Sequence, residues 1–120
     1  MEWLKIPILN NEYYVIVCVG QPKEVMKFTR KHFEDKEIPE KEFTDDTRGK
    51  SFSRKGYPPL LYIKLKSSDT DFFGTLAHEA VHAVQNIWEI IGEENHGEAF
   101  AYSVGAIVRE TARFIKKKAS

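Results

Sequence analysis

Hydrophobic and polar positions along this chain change period several times, and each change marks an element. Tyr13 to Val19, YYVIVCV, is a continuous apolar run of β-branched and aromatic residues and reads as a buried strand. Before it, LKIPIL is either a further strand interrupted by Pro7 or an extended entry arm. Pro22 then opens a stretch in which Val25, Met26, Phe28 and Phe33 form a helical stripe, so a helix is expected from residue 22 to about 34. Residues 36–59 are charged and hold the turn signals TRGKS and KGYPP; short strands around Phe43–Thr47 and Lys50–Arg54 would form a hairpin there. In LLYIKLKS, Leu61, Ile63 and Leu65 alternate with Tyr62, Lys64 and Lys66. That is the pattern of a half-buried strand at a sheet edge, where lysines discourage unwanted pairing.

SSDTD follows, with Ser68 and Asp71 spaced as a capping box, and predicts a helix running to about Ile91 before Gly92 stops it. The loop EENHG leads to a last helix from about 96 to 117. The order predicts an α+β fold. A small mixed or antiparallel sheet would carry one long helix with two histidines and a C-terminal helix with a glutamate.

Composition narrows the class. At 120 residues, with no internal repeat, a single domain over residues 1–120 is expected. The hydrophobic share of 42% does not fit a disordered chain. Lys+Arg and Asp+Glu both number 18, which argues against nucleic-acid or acidic-membrane partners. The run Lys116–Lys118 reads as a solvated helix end. Cys18 is alone, so neither a disulfide framework nor a cysteine-rich zinc site is expected. The first residues, MEWLKIPILNNEYY, have no signal-peptide core, and no run approaches membrane-spanning length; a soluble, cytoplasmic protein is expected. Nothing in the sequence reports the oligomeric state.

The chemistry concentrates in TLAHEAVHAVQNIW, residues 75–88. On a helical wheel His78 and His82 lie about 40° apart, with Glu79 about 100° from His78. Leu76, Ala77, Val81, Val84, Ile87, Trp88 and Ile91 fill the other side. One helical turn, roughly 6 Å, separates the histidines, so two neutral imidazoles can converge on one ion such as zinc. Glu79 stands to one side, where it can reach a water without occupying the metal, which is the logic of H-E-x-x-H. The same wheel also fits a plain amphipathic helix.

A catalytic zinc needs a third protein ligand and an open position. Glu89 is too far along the same helix, and Glu93 and Glu94 follow the stop glycine. Glu98 is the preferred third ligand; 15 residues lie between it and His82. Ala101, Tyr102 and Gly105 lie within about 60° of it, and the two small residues would permit close approach to the histidine helix. Asn95 and Glu98 also have capping-box spacing, and His96 is the alternative ligand.

With HEAVH followed by GEAFAY, the chain resembles a minimal zincin metallopeptidase of the gluzincin type, similar to mini-gluzincins and small phage or prokaryotic HExxH proteins. The resemblance covers roughly residues 60–105. It implies zinc as cofactor, His78, His82 and Glu98 as ligands, and Glu79 as general base and acid. It also implies a peptide or protein substrate, paired with the edge strand around Leu61–Leu65. HEAVHAVQNIW lacks the third histidine of the metzincin branch. Tyr102 is the candidate oxyanion donor, or else a tyrosine packed between helices. Two competing expectations remain: a zinc-binding regulatory or interaction module without turnover, and a metal-free domain.

Overall fold

A computed structural model describes residues 1–44, 46–64, 69–92 and 97–119. The elements are β1 (Glu2–Ile8), β2 (Tyr13–Val19), α1 (Pro22–His32), a 3₁₀ turn (Glu40–Glu42), β3 (Gly49–Phe52), β4 (Leu60–Ile63), α2 (Asp69–Ile91) and α3 (Glu98–Ala119). The fold is α+β.

The strands form one mixed sheet in the order β1-β2-β4-β3. β1 and β2 pair as an antiparallel hairpin, Ile6 opposite Val15 and Pro7 opposite Tyr14. Their turn needs left-handed backbone, which two asparagines tolerate: φ is 54° at Leu9, 55° at Asn10 and 70° at Asn11. Glu12 N–H closes it on the Leu9 carbonyl at 3.1 Å. Pro7 fits because β1 is an edge strand. β2 pairs parallel with β4, and the crossover between them carries α1, the 3₁₀ turn and β3.

Side-chain alternation sorts the sheet into two cores. Ile6, Ile8, Val15, Val17, Leu61 and Ile63 face α2 and α3, where they meet Phe72, Leu76, Ala80, Val84, Ile87 and Ile107. Ile16, Cys18, Leu60 and Tyr62 face the other way, onto Val25, Phe33, Ile38 and Phe43.

Two expectations are corrected here. β4 is an inner strand buried on both faces, with Tyr62 fully buried. The α1 crossover covers the face expected to be wet, and Tyr62 Oη satisfies itself by donating to the Gly20 carbonyl at 3.2 Å. Leu65 and Lys66 lie outside the described residues. The edge on that side of the sheet is β3 instead. It pairs antiparallel with β4, Ser51 opposite Leu61, while Phe43, Thr44 and Thr47 are not strand, and Thr47 N–H bonds the Thr44 carbonyl at 3.0 Å. Phe43 is nonetheless core, stacked on Phe52 at 5.1 Å. Among the described residues no helix is long and apolar enough to cross a membrane.

Candidate metal centre

α2 packs on the sheet through Phe72, Leu76, Ala80, Ala83, Val84 and Ile87, spaced as one helical face. That fixes the phase of everything else on it. His78 and His82 fall on the solvent side and Glu79 on the flank towards β3. The Nε2 atoms of His78 and His82 stand 3.2 Å apart, with ring planes 79° apart. Two nitrogens each about 2.0–2.1 Å from one tetrahedral zinc stand about 3.3–3.4 Å from each other. The pair therefore has the bite of a single ion. Without metal, the same separation accommodates an N–H of one imidazole pointing at the bare nitrogen of the other.

Glu79 is placed by a different element. The side chain of His78 is 69% exposed, whereas that of Glu79 is only 12% exposed. Ser51, on β3, donates its hydroxyl towards the Glu79 carbonyl at 2.8 Å and the Glu79 Oε1 at 3.1 Å. Glu79 Oε2 lies 4.0 Å from His78 Nε2.

Between β3 and α2 lies an open groove of about 530 Å³. Lys50, Ser51, Glu79, His82, Gln85 and Glu89 are among the residues that line it. Its β3 wall offers backbone as well as side chains. Lys64 N–H bonds the Arg48 carbonyl at 2.9 Å, which makes Arg48–Lys64 a hydrogen-bonded pair of the antiparallel ladder. Such pairs alternate with non-bonded ones. The register then turns Lys50 and Phe52 inward to β4, and the N–H and C=O of Gly49 and Ser51 outward.

No family model, curated protein or solved structure matches this chain. Its chemistry has to be read from its own residues.

The structure brings His78, Glu79 and His82 together and adds Ser51. It does not bring Glu98 to them: no group of three or more His, Cys, Asp or Glu residues among the described residues is placed to hold a metal. Packing explains this. Phe100 rests on Trp88, ring centroids 5.4 Å apart, and Trp88 lies six residues beyond His82, about 9 Å down the axis. Glu98 precedes Phe100, so it sits farther still from the pair. It also lies nine residues before the buried Ile107, half a turn round α3 on the exposed side.

Ala101, Tyr102 and Gly105 share that outer side, so the face expected to approach α2 is not the packed one. Phe100, Val104, Ile107 and Val108 do the packing. Tyr102 is 73% exposed, and neither it nor Glu98 lines the groove. His96 and Asn95 lie outside the described residues, as does Ser68 of the expected capping box before α2.

Ser51 and Gly49 escaped the sequence reading. Nothing in GKSFS marks a serine that reaches across to a helix. Strand parity is the one available signal, and it applies only once β3 is placed beside α2.

Proposed function

We propose that the chain is a zinc-dependent peptidase acting on an extended peptide laid along the outer edge of β3. One observation carries this reading: a largely buried carboxylate is fixed beside two convergent imidazoles, facing a groove that a backbone edge lines. A solvated amphipathic helix has no need to bury Glu79 or to tie it to a neighbouring strand.

His78 and His82 would hold the metal, and among the described residues no third His, Cys, Asp or Glu completes a metal-holding group with them. A zinc ion there would supply a Lewis acid that makes water more acidic. Glu79 would be the group that takes up a proton from attacking water and returns it to the departing amine. Oε2, 4.0 Å from His78 Nε2, is the oxygen suited to that task, since Oε1 is engaged by Ser51. The outward N–H and C=O groups of Gly49 and Ser51 hold the peptide main chain as an added strand. The resemblance to gluzincins agrees with this assignment of His78, Glu79 and His82.

A metal-binding module without turnover is the second reading. The two-imidazole set among the described residues favours it, because two ligands alone hold zinc loosely. The anchored Glu79 weighs against it, since a purely structural site has no use for a base.

The deciding measurement pairs zinc content with cleavage of unstructured peptides, followed by mass spectrometry. The wild type should cleave with zinc and stop with a chelator. Glu79→Gln should retain zinc while kcat falls by about 10²–10⁴-fold. Undiminished turnover in Glu79→Gln refutes the peptidase reading. Zinc binding with no cleavage of any peptide selects the module.

A further inference from the structure

We infer that Ser51 is a positioning residue that registers base and substrate to one another. Its hydroxyl fixes the Glu79 carboxylate, and its main chain, on the open edge of β3, fixes the peptide. This rests on the proton-carrying role proposed for Glu79.

The argument begins with parity. Ser51 is opposite Leu61, and Leu61 packs in the core beneath α2. The Ser51 side chain therefore faces α2, whereas Lys50 and Phe52 face away. At Gly49, two residues earlier, an added Cβ would come within 2.6 Å of Thr75 Cγ2. That bare position lets α2 lie close enough for a side chain as short as serine to span the gap.

One hydroxyl proton then serves two acceptors of the same residue, the Glu79 carbonyl at 2.8 Å and Oε1 at 3.1 Å. The first ties β3 to the helix. The second selects among the rotamers a glutamate would otherwise sample, and turns Oε2 towards the imidazole pair. A bond to a charged acceptor is the stronger kind. Because the Ser51 N–H and C=O point outward, a peptide paired there lies beside the carboxylate its side chain holds. Positioning errors near 1 Å cost about 10²-fold in rate, which is the scale on which such a clamp acts.

The test uses the full chain with zinc, in four forms: wild type, Ser51→Ala, Ser51→Thr and Glu79→Gln. Ser51→Ala should keep its zinc and its KM within about twofold, and lose about 10–100-fold in kcat. Ser51→Thr, which keeps the hydroxyl on a strand-compatible side chain, should recover most of that loss. A fold defect would not be rescued selectively by threonine.

A second measurement needs neither metal nor turnover. In the apo protein, urea midpoints of Ser51→Ala, Glu79→Ala and the double variant should be non-additive, because both substitutions remove one bond. Wild-type kcat in Ser51→Ala, failure of threonine to restore it, or additive midpoints overturns the inference. Full activity in Glu79→Gln instead sinks the peptidase reading, and the urea cycle still decides whether Ser51 holds Glu79.

Discussion

Gly49→Ala offers a test in which the sign alone is decisive. Gly49 is not among the residues of left-handed backbone, so alanine has no conformational objection to the site. Taken alone, that substitution should stabilise the protein by about 0.4–1 kcal/mol by restricting the unfolded chain. The structure predicts the opposite. An added Cβ would sit 2.6 Å from Thr75 Cγ2 and 3.0 Å from the Tyr62 carbonyl oxygen. Carbon atoms in good contact stand about 3.5–4.0 Å apart, so β3 and α2 must separate by about 1 Å. Thr75 cannot turn aside freely, since a β-branched side chain on a helix has few rotamers.

Overpacking of this kind costs about 1–3 kcal/mol, which outweighs the entropic gain. The net loss should lower Tm by about 3–10 °C and shift the urea midpoint down with an unchanged m-value. The same retreat carries Ser51 away from Glu79, so activity should fall further than stability alone explains. Thr75→Ser removes the offending methyl and, in the Gly49→Ala background, should recover most of the lost stability. A single variant more stable than wild type, or a double variant with no recovery, refutes the reasoning.

Thr111 predicts a gain. Its hydroxyl is buried with no partner among the described residues, whereas the equally buried Thr29 donates to the Val25 carbonyl at 2.7 Å. Thr111→Val should therefore stabilise by about 1 kcal/mol in urea titration, and Thr29→Val should give no comparable gain. Burial pushes the Cys18 thiol from its ordinary value of 9.0 up to about 12. The unfolded chain thus loses this proton first, and stability falls as pH rises from about 9 to 12, by up to about 1.4 kcal/mol per pH unit from this group. Urea midpoints across that range should decline less steeply in Cys18→Val than in wild type.

Where local chemistry decides, the sequence was a good guide. β2 covers Tyr13–Val19, α1 starts at Pro22, and α2 ends at Ile91, followed by Gly92 at φ 77°. The α2 wheel, read from apolar spacing alone, put Glu79 and both histidines off the packed side. What was misread depends on partners far away in the chain. Lys64 and Lys66 made β4 look like a half-wet edge, yet β3 pairs along its outer side and the long crossover lays α1 over its second face. Phe43 looked like a strand residue because it is aromatic and apolar; it is a loop residue held by Phe52. Glu98 satisfied the spacing to His82, but the phase of α3 is set by Ile107 and Phe100 against the core. Spacing could not report that phase.

The outward groups on β3 recur at every second residue, Gly49 and then Ser51, a repeat of about 6.6 Å. Any chain that zips onto that rim can shift only in dipeptide steps if it is to keep its main-chain bonds. A slip by one residue would turn its inward side chains outward. The rim thus has the form of a ruler with two-residue graduations, and if the proposed peptidase activity holds, fragments released from one long strand should differ in length by even numbers.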